Sequence, residues 1–207
     1  MKTNQIFVIF VILFLTPSCF GRYNPNLLAL EKQIHSSTSP QKQILVYAFD
    51  QLGLLGKEYI ARSVQIGRNI LKDESLATNS QPEVEKFKND LHIFIEKYDN
   101  SNENVQTIWN LMEVYGNIVQ KYFKMSEKKK TPETKLILGI LKKYGCESNN
   151  IEFVMKFHEF ADDLIKKFEE SKEHMDKHSL EWLDHFKTLN KFGDRYPAIM
   201  HYIIRMN

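Results

Sequence analysis

Cysteine is nearly missing from this chain of 207 residues: Cys19 and Cys146 are the only two. Glycine and proline are also sparse, at 8 and 6, which argues against an all-β chain with many tight turns. No segment of any length alternates apolar and polar residues as a half-buried strand does, and no internal repeat has a fixed period. None of the 15 asparagines opens an Asn-x-Ser/Thr sequon, so N-glycosylation is not expected. A Gly-rich phosphate loop, a GxSxG elbow, a CxxC pair, an HExxH pair and a kinase-like set are all missing. These absences remove the easily recognised enzymes, and nothing calls for a cofactor. A dominant charge is lacking too: 28 basic side chains face 26 acidic ones. Nucleic acid and strongly anionic surfaces are therefore not obvious partners.

What is present begins with a targeting segment. Lys2 supplies a positive start, and Ile6 to Leu15 is an unbroken apolar run of ten residues. Pro17 stops any helix, and Ser18, Cys19 and Gly21 form a small-residue exit. The run is shorter than the roughly 20 apolar residues a membrane span needs, so residues 1–21 read as a secretory signal peptide. Cleavage follows Gly21, with Ser18 as the alternative. A cut after Gly21 leaves Cys146 as the sole cysteine, so no intrachain disulfide is available. Stability must then come from a packed core. The protein is expected to be extracellular, and no later segment is apolar enough to span a bilayer.

Residues 22–207 read as a single all-α domain of six to eight mostly antiparallel helices in a bundle. Asn24-Pro25, Ser39-Pro40 and Thr131-Pro132 each pair a capping residue with a proline, and Pro82 opens a further helix. Residues 41–72 fit either one helix or two joined near Gly56. Pro82 to Tyr98 makes the next helix, and Asp99 to Asn102 is expected to end it and cap its successor. The central helix lies between Glu103 and Met125. Val105, Ile108, Met112, Tyr115, Val119 and Tyr122 share one face at helical spacing. Trp109, Leu111, Val114, Ile118 and Phe123 widen it. A helix with so little charge is touched on several sides. The polar connector 126–131 is a candidate hinge. Gly145 ends the following helix, and Asn149 with Glu152 resembles a capping box. Residues 150–190 fit either one projecting helix or two, with Ser179 capping the second. Gly193 closes that stretch and Pro197 opens a terminal helix.

Candidate sites follow from residue type and spacing. Gln106, Asn110, Asn117 and Gln120 form an amide line along the central helix. They would orient a ligand if they faced an internal void, and would be ordinary scaffold if they faced solvent. His174, His178, Glu181 and His185 share one face if their helix is continuous, and imidazole and carboxylate at that spacing suit zinc or copper. Packing at the rim of the stripe Met175, Trp182 and Phe186 explains the same spacing. Cys146 is expected in an accessible loop, as a free thiol or as one half of an intermolecular disulfide that would link a dimer. The acidic-amide loop from Asp99 is no EF-hand, because Asn104 and Asn110 stand where such a loop needs Gly and Glu.

The 14 Phe and 9 Tyr must line a core, a cavity or an interface. With no catalytic set, the expectation is a secreted, non-catalytic helical binding protein carrying an apolar small molecule or lipid. The alternative is a secreted interaction factor that engages an extracellular protein, such as a receptor or host protein, through the charged region 169–185.

Overall fold

The computed structural model describes residues 39–205. The expected signal peptide, Cys19 and the helix from Asn24-Pro25 lie outside them. The protein is all-α: the described residues form eight α-helices, two short 3₁₀ turns and no strand. None of these helices is long and apolar enough to cross a membrane.

The helices are α1 Pro40–Leu71, α2 Glu74–Ala77, α3 Pro82–Asp99, α4 Val105–Lys124, α5 Pro132–Lys143, α6 Cys146–Glu170, α7 Lys177–Thr188 and α8 Phe192–Arg205. Pro40, Pro82 and Pro132 each occupy the first helical position, where a missing N–H costs nothing. The segment 41–72 is one helix. Its three interior glycines, Gly53, Gly56 and Gly67, cost about 1 kcal/mol each in propensity, which tertiary packing offsets.

The described residues fall into two compact units, Gly56–Glu152 and residues 39–55 with 153–205. Helices α1 and α6 contribute residues to both. In the first unit α4 is the central rod, and half of its 20 residues are buried. Tyr115 lies against Phe94 of α3 at 5.0 Å between ring centroids, and Tyr122 meets Phe87 edge-on at 5.4 Å. Helices α3, α4 and α5 pack on one another. The connector 126–131 carries a single 3₁₀ turn, Glu127–Lys129. Gly56 brings α1 close to α4: a Cβ there would sit 3.0 Å from Ile108 Cγ2 and 3.3 Å from Met112 Sδ. Gly67 has more room, with Ile95 Cδ1 at 3.5 Å.

The second unit is held by rings. Phe157 lies 4.7 Å from Phe192 and 5.6 Å from Tyr196. Trp182 stacks on Tyr202 at 4.2 Å and on Phe186 at 4.8 Å, and its indole N–H donates to the Ala198 carbonyl. Buried Arg195 donates from Nε to the Leu189 carbonyl (2.6 Å) and from Nη1 to Asp162 (2.8 Å), binding the end of α7 to α6.

Four expected helix boundaries move. Asn104, beyond the expected stretch Asp99 to Asn102, caps α4, its Oδ1 accepting from the Thr107 N–H. Asp176, not Ser179, caps α7. Helix α6 starts at Cys146, so Asn149 lies inside it and is no cap. Helix α8 starts at Phe192, ahead of Gly193, and holds Pro197 in its interior. Proline usually marks a first helical position, but burial of Phe192, Arg195 and Tyr196 extends this helix upstream of it.

Gly56 and Gly67 of α1 predict opposite outcomes. Gly56→Val, which forces a branched side chain against Ile108, should lower stability by about 1–3 kcal/mol. Gly67→Ala meets only ordinary contact and should raise it by about 0.5–1 kcal/mol. Urea unfolding followed by circular dichroism measures both, and a neutral Gly56→Val would show that the close approach is no constraint.

Candidate functional site

Polar side chains are gathered in three places within the first unit. One is interior. Helix α1 supplies Tyr59 and Ser63, α4 supplies Tyr115, and α6 supplies Cys146, Asn149 and Asn150; all six are buried. The Tyr59 hydroxyl donates to Asn150 Oδ1 at 2.6 Å. Ser63 Oγ donates back to the Tyr59 carbonyl at 2.8 Å, and Asn149 Nδ2 is shared between that carbonyl (3.3 Å) and Ser63 Oγ (3.0 Å). The Tyr115 hydroxyl donates to Cys146 Sγ at 3.3 Å. Asn150 Nδ2 is buried with no hydrogen-bond partner.

Burial decides the protonation of this cluster. It pushes the Cys146 thiol up to about 12, with the hydrogen bond from Tyr115 opposing it only in part. Burial also raises the hydroxyls of Tyr59 and Tyr115 above the ordinary phenol range, and each is raised further by the other acids of the group. At neutral pH every member is uncharged. A thiol in that state is neither a nucleophile nor a metal ligand. The expected accessible loop for Cys146 is thus corrected. Gly145 does adopt the left-handed conformation that ends α5, with φ 83°. Helix α6 begins at the next residue, and its first side chain turns inward.

The histidine face does not form. Helix α6 ends at Glu170, a 3₁₀ turn spans Lys172–His174, and extended Met175 precedes the Asp176 cap. His174 therefore sits on a different element from His178, Glu181 and His185. Among the described residues no group of three or more His, Cys, Asp or Glu side chains is placed to hold a metal ion.

The second gathering is a surface depression of roughly 480 Å³ between the end of α3 and the first turns of α4. Its polar lining is Lys97, Asn100, Ser101, Asn102, Thr107 and Asn110, with Leu111 and Val114 completing it. Capping fixes the amide orientations. Asn104 Oδ1 accepts from the Thr107 N–H at 2.9 Å, so its Nδ2 must face the other way and donates to Asn102 Oδ1 at 2.7 Å. Thr107 Oγ1 donates to the same oxygen at 3.1 Å. The Ser101 hydroxyl is shielded from solvent and has no partner. Beside this lining Glu103 holds φ 51°, the one positive φ outside glycine among the described residues. Such a conformation is uncommon outside glycine and costs on the order of 1 kcal/mol or more.

Of the four amides expected to orient a ligand, Asn110 lines this depression. Gln106 donates to Asn110 Oδ1 at 3.2 Å. Asn117 is exposed, and Gln120 is half-buried with its Nε2 shielded and unpartnered. Sequence reasoning treated the loop at Asn100 to Asn102 as a cap and a failed calcium loop. Its density of amides and hydroxyls was the available signal for a site. A smaller depression of 410 Å³ surrounds Asp73, Ser75, Lys143 and Tyr144. There Asp73 accepts from Lys143 Nζ at 2.7 Å, Tyr144 at 3.0 Å and the Ser75 N–H at 3.0 Å, a fully engaged carboxylate held well below its usual range chiefly by Lys143. Comparison of the chain with protein-family models, curated proteins and solved structures finds no match.

Two outcomes follow from the interior cluster. Tyr59→Phe leaves Asn150 Oδ1 buried without a donor and should cost about 1–3 kcal/mol, whereas Tyr115→Phe, which removes a weaker bond to sulfur, should cost less than about 1.5 kcal/mol. Equal losses in urea titrations would contradict this ranking. The raised acids also fix a pH dependence. The folded chain holds these protons more tightly than the unfolded one, so their contribution is whole below about pH 8.5, the ordinary thiol value. It falls as pH rises toward about 12. Unfolding midpoints measured from pH 7 to 11 should decline, and Cys146→Ala should flatten the first part of the decline.

Proposed function

We propose that this is an exported, non-catalytic binding protein whose ligand is a small polar molecule held at the depression between α3 and α4. One observation carries the proposal: a lining of amides, hydroxyls and an ammonium whose polar groups are not all consumed by the fold. Elsewhere the polar side chains are used structurally. Asp73, Glu83, Asp162 and Asp176 each accept from neighbouring side chains or cap a helix. The buried thiol and phenols are neutral, which leaves the interior cluster without an activated nucleophile or base. Export rests on the positive start, the ten-residue apolar run and the small-residue exit of residues 1–21.

An apolar ligand or lipid, which composition alone favours, has less support. The rings of the second unit contact one another at 4.2–6.1 Å, so this aromatic surface is engaged in packing. The interaction-factor alternative draws on the exposed charged turn at Lys172–His174. A dimer linked through Cys146 would require the first turn of α6 to open.

Mass spectrometry of protein from the medium should show a chain that starts at Arg22, and retention of the full-length mass inside the cell would refute export. A library of small polar molecules, screened by ¹H–¹⁵N NMR on that mature chain, should produce ligands that move the signals of Asn100, Asn102 and Asn110. A screen that leaves those signals fixed removes the binding role.

A further inference from the structure

The lining of the α3–α4 depression is unbalanced toward donors. Asn102 Oδ1 already accepts from Asn104 Nδ2 and Thr107 Oγ1, so its free end is the NH₂ group. Asn110 Oδ1 accepts from Gln106, which again leaves NH₂. Lys97 is exposed in the last turn of α3 and pairs with no carboxylate among the described residues. Of the acids near Lys97 in sequence, Asp99 is engaged elsewhere. It accepts from Arg68 Nη2 at 2.6 Å. No acidic side chain lines the depression. An ammonium and two amide donors on an acid-free wall match an anion with oxygen acceptors around it. Leu111 and Val114 add a small apolar surface, as the carbon face of a ring would require. The volume of about 480 Å³ is of the order that small-molecule sites occupy.

We propose that this depression binds a small carboxylate-bearing sugar, with Lys97 taking the carboxylate and the Asn102 and Asn110 NH₂ groups taking neighbouring hydroxyl oxygens. The inference rests on the binding role proposed above and adds the chemical class of the ligand. Because Lys97 is exposed, its attraction is screened by salt, and the affinity falls as ionic strength rises.

The test titrates the mature chain with glucuronate, galacturonate and N-acetylneuraminate, with glucose as the neutral counterpart, and reads amide shifts by NMR. At least one acid should move the signals of residues 97–111 with an affinity about tenfold above that of glucose. Lys97→Gln should remove that margin of about tenfold and leave glucose unchanged. Asn110→Ala should weaken acid and neutral sugar alike. Both substituted residues lack a core role, so the folded spectrum provides the control. Equal binding of glucose with a silent Lys97→Gln overturns the carboxylate assignment and leaves the binding role standing. No response to any sugar overturns it as well, and the polar-molecule screen then shows whether the binding role falls with it.

Discussion

A pair of adjacent buried amides sets the terms for the unit Gly56–Glu152. Asn149 and Asn150 lie side by side on α6, and burying them is unfavourable unless each finds partners. Both turn to α1. Asn149 reaches the Tyr59 carbonyl and Ser63, and Asn150 takes the Tyr59 hydroxyl. These bonds fix which residues of α1 and α6 face each other in a way that apolar contact alone does not, because a hydrogen bond has direction and a dispersion contact has little. The described part of the chain has no disulfide, and its one cysteine is free. Register between helices far apart in sequence must therefore come from such bonds and from shape.

Helix α4 depends on that register. Tyr115 is wholly buried; its ring is T-shaped to that of Tyr59 of α1 and tilted against Phe94 of α3, and its hydroxyl donates to Cys146 of α6. A shift of α1 along α6 would displace Tyr59 and with it the wall against Tyr115. The approach at Gly56 narrows the tolerance further, since Ile108 and Met112 lie within van der Waals reach of the α1 backbone. An apolar helix touched on several sides needs neighbours placed to a fraction of an ångström. The paired asparagines and the glycine supply two independent restraints on one of those neighbours.

This division explains what could be read from the residues alone. The all-α class, the central position of α4 and its buried face follow from periodicity, which reports the sum of many similar contacts. Three proline starts were legible because a proline acts through its own backbone. The buried cluster was not legible. Asn149 carried a capping signature, and whether an asparagine caps a helix or lies inside one depends on where the preceding turn ends. Here Gly145 ends it four residues earlier. Cys146 was misplaced for the same reason. The histidine face failed because spacing along the chain means nothing across a break, and the break at Met175 is set by the Asp176 cap rather than by any strong breaker residue. The α3–α4 depression was half visible: Asn110 stood out as an amide on an apolar helix, while the loop beside it was interpreted through its backbone role alone.

That loop shows how capping and recognition compete for the same atoms. An asparagine side chain has one acceptor end and one donor end. A helix start consumes acceptors, because its unpaired backbone groups are N–H donors. Asn104 spends its oxygen on the Thr107 N–H and so must offer its NH₂ to Asn102. Asn102 spends its oxygen in turn, and the NH₂ left at the end of this relay borders the depression. Donor excess at the surface is thus a consequence of how α4 begins, and it needs no additional positive residue to arise. Lys97, unpaired in the last turn of α3, adds full charge to a wall that the capping relay had already polarised in the same sense.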